Sequence, residues 1–329
     1  MKHYNIPVFV PHRGCPNDCV FCNQKHITGI IKDLSEQEIR DIVDEHLKTI
    51  PKDAHKEIAF FGGSFTGIDM ELQRKYLSVA YEYIKKGDVS GIRLSTRPDY
   101  INKEILDQLA GFGVRVIELG VQSMDEDVLY ASNRGHTEKD VEIASKLIRE
   151  YGFSLGLQMM TGLPGDTDEK SLKTADKIIA LSPDFVRIYP TLVIKDTELE
   201  NMYKRGEYLP QGLDDAVNLA AKLLRKFNEK KITVIRIALM TTDEISPGGK
   251  LVAGPFHSAF RELVESRIYF EDIMDSVKDK KDIVVAVNPA EISKVIGNKK
   301  CNVEKFREIG IKISVKPDKR IKKGNFKIR

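Results

Sequence analysis

Across residues 1–240, short runs of β-branched and apolar residues alternate with stretches of helical periodicity. Runs at 6–10, 57–61, 92–96, 114–120, 154–160 and 185–189 read as strands, and amphipathic stretches at 35–49, 69–85, 103–111, 137–151 and 169–181 read as helices. Ser35 followed three residues later by Glu38 is a capping box, which fixes one helix start. Strand–helix alternation at this spacing predicts parallel strands joined by right-handed crossovers. Six such units predict an α/β fold, a partial (β/α)6 barrel of the TIM type with functional loops at the carboxyl ends of its strands.

A further helix at 213–230 and a strand at 232–238 follow. The pattern then weakens, and 241–254, with Ser246-Pro247-Gly248-Gly249, reads as a boundary or an active-site cover. From residue 281 a new unit is predicted: strand 283–287, helix 289–295, turn 297–300, helix 303–309 and strand 311–315. The expected division is a core at 1–240, a connector or cover at 241–280, and a small basic α/β unit at 281–329.

Composition narrows the class. The chain has 329 residues, 41% hydrophobic and 31% charged, enough apolar material for a sizeable core. No stretch approaches the roughly 20 apolar residues of a membrane span. The apolar run at 6–10 is too short for the core of a signal peptide. Four cysteines, three of them clustered, do not suggest a disulfide framework, and a reducing cytoplasm is the expected location. The net charge of +3 hides an asymmetry, because residues 281–329 carry 14 Lys and Arg against 5 Asp and Glu. A positive end of that kind favours a polyanion such as RNA, although a solvated tail accounts for the charge equally well.

The three clustered cysteines change the picture most. Cys15, Cys19 and Cys22 are spaced C-x3-C-x2-C in a loop directly after the first strand, at the functional end of the expected barrel. Three thiolates so close together can hold three corners of a cubane iron–sulfur cluster and leave the fourth iron open. The alternatives are a zinc knuckle or buried structural cysteines. A structural zinc site needs four protein ligands, and only His12 and His26 lie nearby, with no second cysteine pair.

That spacing, with Phe21 directly before the last cysteine, resembles the radical S-adenosylmethionine (SAM) superfamily. Several further motifs share the resemblance: Phe60-Phe61-Gly62-Gly63-Ser64-Phe65, Ser95-Thr96-Arg97-Pro98-Asp99, Leu119-Gly120-Val121-Gln122-Ser123, Asn133-Arg134-Gly135-His136 and Met160-Thr161-Gly162-Leu163-Pro164-Gly165. The set is similar to the core shared by oxygen-independent coproporphyrinogen oxidases and the Elongator catalytic subunit. Asn-Arg-Gly-His and Ile188-Tyr189-Pro190-Thr191-Leu192-Val193 look most like the Elongator type. The likeness covers roughly residues 5–240.

The resemblance implies a [4Fe-4S] cluster on Cys15, Cys19 and Cys22, with SAM chelated to the open iron. One electron would cleave SAM to methionine and a 5′-deoxyadenosyl radical. Gly62, Gly63 and Ser64 would meet the methionine part, Gln122 the ribose or carboxylate region, Arg134 the carboxylate, and Gln158 the ribose hydroxyls. Ser95 stands where related enzymes often carry Glu, and Gln158 where coproporphyrinogen oxidases carry Asp. As structural readings, Arg134 can also cap a helix and Gln122 can also satisfy backbone inside the barrel. Catalytic residues beyond the cofactor site are not assigned. The Elongator subunit continues into an acetyltransferase domain, for which the roughly 90 residues after Ala238 are too few. No use of acetyl-CoA is therefore expected. A one-electron donor such as ferredoxin or flavodoxin is.

At the other end, Ile292-Ser293-Lys294-Val295-Ile296-Gly297-Asn298-Lys299-Lys300 resembles the helix–GXXG–helix turn of a KH-type module, with Lys300 replacing the second glycine. Gly297, Lys299 and Lys300 would then contact an RNA backbone. A generic basic α/β appendage is the plainer alternative. Cys301 reads as a small apolar side chain, and His257 as a surface-loop histidine or a proton donor at the barrel mouth. RNA, as tRNA or rRNA, is the leading substrate class. A porphyrin precursor and an RNA-binding redox sensor without catalysis are the alternatives, and a sensor has no need of Gly63, Gln122 or Arg134.

Overall fold

In a computed structural model, residues 2–10, 19–22, 33–242, 245–277 and 280–328 are described. Cys15, His12 and His26 lie outside the described residues. The chain separates into two compact units, one made of Met1–Pro210 with Lys226–Gly254 and the other of Gln211–Arg225 with Pro255–Arg329.

The first unit is built on strands β1 (His3–Val10), β2 (His55–Gly62), β3 (Gly91–Thr96), β4 (Val114–Gln122), β5 (Ser154–Thr161), β6 (Phe185–Pro190), the two-residue β7 (Val193–Ile194), β8 (Thr233–Ile237) and β9 (Leu251–Ala253). Seven of them form one parallel sheet in the order β1-β2-β3-β4-β5-β6-β8, while β7 and β9 pair separately. Six expected units plus β8 thus give the partial barrel. The helices that follow β1, β2, β3 and β5 begin at caps that the sequence provides. Ser35 and Glu38 close the capping box on Glu36–Thr49, and Asp69, Asn102 and Thr167 cap the next crossovers.

The two faces of the sheet differ. Ile6, Val8 and Val10 of β1, with Ile58 and Phe60 of β2, are fully buried on one face. The opposite face carries charge. Glu57 of β2, Arg93 of β3, Glu118 of β4 and Arg187 of β6 form a lateral chain. Arg93 donates to Glu57 at 2.7 Å and to Glu118 at 3.1 Å, and Arg187 donates to Glu118 at 2.6 Å. Burial works against the charged form of Glu57, yet the neighbouring Arg93 guanidinium prevails and holds its carboxyl below the usual range. Room for this layer comes from Gly156, where a Cβ would stand 2.4 Å from the Phe185 ring and 3.0 Å from Glu118 Cγ. Arg93 stacks over that same ring, 5.6 Å from its centroid.

The second unit contains the helix Phe260–Val277, then β10 (Asp282–Val287), a helical turn at Pro289–Glu291, the helices Ile292–Ile296 and Cys301–Glu308, β11 (Lys312–Pro317) and β12 (Phe326–Ile328). Its sheet runs β11-β10-β12, with β10 and β11 parallel and β12 antiparallel. Tyr269, Ile273, Val277, Ile283, Val285 and Phe306 form its core. The basic end is anchored. Ile321 is buried, its carbonyl accepts from Asn288 Nδ2 at 2.9 Å, and the Gly324 amide donates to Glu291 at 2.6 Å.

Candidate cofactor site

The carboxyl ends of β1, β2, β3 and β4 gather most of the expected residues. Cys19 is buried and Cys22 half-buried, and the Cys22 amide donates to the Cys19 carbonyl at 2.9 Å. The intervening turn is tied from two sides. Val20 N–H donates to Ser132 O at 3.1 Å, and Leu199 N–H donates to Val20 O at 2.7 Å. Val20 also packs against Val193, Leu199 and Tyr208.

Arg134 reaches this turn from the loop after the helix Glu126–Ala131. Its Nη1 lies 3.5 Å from Cys19 Sγ, and its Nη2 donates to the Gly120 carbonyl at 2.6 Å. Nε is buried without a hydrogen-bond partner, and among the described residues no carboxylate pairs with this guanidinium. A buried cation in that state is costly unless an anion completes it.

Backbone geometry makes the room. β4 slips register between Gly120 and Gln122, and Gln122 sits at φ 67°. A Cβ on Gly120 would stand 2.9 Å from Arg134 Nη2 and 3.0 Å from Gln122 Nε2, so the three residues share one crowded corner. Glycine keeps that corner open. His136 is buried beside it, and its ring faces the Val121 carbonyl at 3.2 Å. Burial, reinforced by Arg134 and Arg97, lowers its pKa to about 2, so the ring is neutral and donates through Nε2.

At the end of β2, Gly62 adopts φ 100° and the Gly63 amide donates to Val10 O at 3.4 Å, which ties β2 to the end of β1. Ser64 Oγ shares a hydrogen bond with Thr96 Oγ1 at 2.8 Å and accepts from the Arg97 amide at 3.1 Å. Ser95 is half-buried, one residue from that contact and in register with Glu118. Gln158 is on β5 in register with Gly120, and its amide donates to Glu118 at 3.2 Å. Gly62, Gly63, Ser64, Ser95, Gln122, Arg134 and Gln158 therefore all lie on neighbouring strands or their following loops, and Cys19 touches Arg134 directly.

Glu57, Arg93, Glu118 and Arg187 had not been singled out from the sequence. Their signal was available: a charge centred in an otherwise apolar strand, with the opposite sign on a neighbouring one. In the second unit, Gly297 is buried at φ 81°, while Lys299 (φ 50°) and Lys300 (φ 66°) are exposed and left-handed. Cys301 is half-buried, and its Sγ would stand 2.6 Å from a Cβ on Gly297. His257 also lies in this unit, with Nε2 3.4 Å from Asn298 Nδ2.

The residues present suit a cluster with a bound zwitterion. Two sulfurs are held on a backbone-anchored turn, one of them against an arginine that lacks an anion, next to glycine-rich strand ends where backbone is accessible.

Comparison with known proteins agrees. Residues 9–178 match the radical SAM superfamily model, and residues 183–269 match the radical SAM C-terminal domain. The chain belongs to the radical SAM superfamily, whose enzymes use a [4Fe-4S] cluster and SAM. It is 31% identical over 196 residues to the tRNA uridine(34) acetyltransferase of Methanocaldococcus jannaschii, covering 53% of this chain and 36% of that protein. It is also 31% identical over 255 residues to an uncharacterized protein of the same organism, covering 74% of this chain and 77% of the relative. Among solved structures, the archaeal Methanocaldococcus infernus Elp3 with an N-terminal deletion shares the fold, with a TM-score of 0.64 and 23% identity over 83% of this chain and 63% of that one. The chain spans about a third to a half of the length of the first curated acetyltransferase relatives. Among the described residues, no helix is long and apolar enough to cross a membrane.

Proposed function

We propose that Cys15, Cys19 and Cys22 hold the [4Fe-4S] cluster, that SAM binds against Arg134, and that the enzyme acts on RNA. When bound, the cluster and SAM supply a one-electron cleavage of the sulfonium and a 5′-deoxyadenosyl radical able to take hydrogen from a substrate. The chain's own part is to bind and orient. Arg134 offers its unpartnered Nε to a carboxylate, a charge-assisted contact that a guanidinium makes well. Gly62 and Gly63 let backbone approach the methionine part, which Ser64 also meets, Gln122 lies at the ribose or carboxylate region, and Ser95 and Gln158 lie toward the ribose. The division into a core at 1–240, a connector or active-site cover at 241–280 and a KH-like unit at 281–329 belongs to the same proposal, as does a ferredoxin or flavodoxin donor.

The observation that carries the cofactor reading is the buried Arg134 beside Cys19 with no carboxylate partner among the described residues. Anaerobically reconstituted enzyme with dithionite is expected to convert SAM to 5′-deoxyadenosine, and Cys19→Ala to stop it. Arg134→Ala should weaken SAM binding by about 3 kcal/mol, on the order of 100-fold. Unchanged affinity in that variant would remove Arg134 from the site.

RNA as substrate is supported by the relatives' names, which place them on tRNA uridine 34, and by the basic second unit. Gly297, Lys299 and Lys300 sit on a helix–turn–helix between two parallel strands, where exposed lysines suit phosphate contacts. Reversing both lysines to Glu should lower the salt dependence of tRNA binding by about two phosphate equivalents. Nucleoside mass spectrometry of tRNA and rRNA from a strain lacking the protein tests the substrate class, and an unchanged profile would refute it. Acetyl transfer is not part of the proposal.

A further inference from the structure

The amino ends of β1 and β2, away from the cysteine turn, bring together a second set of ligand-type side chains. His3 and His55 are register partners on adjacent parallel strands, and their rings lie 5.0 Å apart between centroids. Glu57, two residues beyond His55, projects to the same face. Its Oε2 accepts from His3 Nε2 at 3.0 Å, and its Oε1 is 3.5 Å from His55 Nε2. Ligand atoms of all three residues lie within 4.8 Å of one another. Such spacing lets one ion touch all three, since zinc–nitrogen and zinc–oxygen bonds are about 2.0–2.2 Å.

Two further observations favour an ion over a plain histidine–carboxylate contact. Glu57 is buried, and its Oε2, the oxygen that faces His3, also accepts from Arg93 Nε at 2.7 Å, an outer partner of the kind that orients a metal-binding carboxylate. Asn5 is in register with Glu57, and its Oδ1 is a buried oxygen with no hydrogen-bond partner. The histidine rings, by contrast, are only part-buried, which leaves an entry path. Arg93 does not leave excess positive charge here, because it also donates to Glu118.

We propose that His3, His55 and Glu57 form a divalent transition-metal site of the zinc class, separate from the cysteine cluster. Two imidazoles and one carboxylate select such an ion over calcium or magnesium, which take all-oxygen shells. The consequence is mechanical. β1 is an edge strand of the barrel and runs directly into the cysteine segment, so an ion bridging β1 to β2 pins that strand at its start.

The test uses tag-free, full-length enzyme with its cluster reconstituted, given zinc chloride and then desalted. About one zinc per chain should remain, with a zinc-edge X-ray absorption spectrum showing nitrogen and oxygen neighbours at about 2.0–2.1 Å and imidazole scattering. His3→Ala and His55→Ala, both at part-exposed rings, should each weaken zinc retention at least about tenfold. Their iron content and melting profile should match the parent, which separates loss of a ligand from loss of fold. Zinc retained equally by both variants, no zinc retained by the parent, or a sulfur shell at about 2.3 Å would each overturn the proposal.

Discussion

Arginines of the barrel stand in two opposite states, with Arg93 and Arg134 both buried and Arg187 half-buried. Arg93 and Arg187 grip Glu118 from either side, and Arg93 continues to Glu57, so every charge in that layer meets its opposite. Arg134 is buried as fully as Arg93 but, among the described residues, meets a carbonyl and a sulfur, with one nitrogen left over. The first arrangement is finished within the chain and behaves as structure. The second is left unfinished among the described residues, and in the proposed function a bound carboxylate completes it. The difference separates scaffold from site without reference to any relative, because both groups have the same side chain and similar burial.

The contrast can be broken most strongly at Glu118. Glu118→Ala leaves Arg93 and Arg187 buried and short of a carboxylate, and should cost about 3–5 kcal/mol in urea unfolding. Arg134→Ala, in the same assay without SAM, should cost less than about 1 kcal/mol or even stabilise the chain, because it removes an uncompensated buried charge. Equal losses in the two variants would erase the distinction.

Gly120 offers a finer test. Gly120→Ala pushes a methyl against Arg134 Nη2 and Gln122 Nε2, both ends of flexible side chains. The expected result is about a tenfold loss of SAM affinity, with unfolding changed by at most about 1 kcal/mol. A normal dissociation constant would mean that Arg134 is free to rearrange.

The smallest effect concerns His136, which burial first, and then Arg134 and Arg97, keep neutral. Folded, it takes up a proton only near pH 2, whereas the unfolded chain does so near its ordinary value of 6.5. Its contribution is therefore intact above about pH 6.5 and declines as pH falls below it, by about 1.4 kcal/mol at pH 5.5. His136→Gln should flatten the drop in urea midpoint between pH 7.5 and 5.5. The same slope in both proteins would show that His136 titrates normally.

Much of the barrel was legible because its strands are dense in β-branched residues. The expected 92–96 and 185–189 appear as Gly91–Thr96 and Phe185–Pro190. Within the second unit, the paired helices around Gly297 were also readable, since apolar periodicity and the glycine mark them locally. The charged layer was not. Its pairs join residues 25 to 69 positions apart, and within each strand they look like single polar interruptions. The helix Phe260–Val277 was missed because its apolar residues do not form one clean stripe. At the candidate cofactor site the motifs could be picked out in sequence, but Arg134's burial with no carboxylate partner among the described residues could not, because burial without pairing is a property of the tertiary structure alone.

Gly156 carries a last consequence, for anyone who evolves this enzyme in the laboratory. It is not among the candidate cofactor residues, yet any side chain there drives into the Phe185 ring and the stem of Glu118. A saturation library screened for activity should therefore report Gly156 as intolerant as a cluster cysteine. A paired substitution that shrinks Phe185 should restore some of those variants, and no second change should rescue a lost cysteine. Intolerance alone would rank the two positions together, and compensability tells them apart.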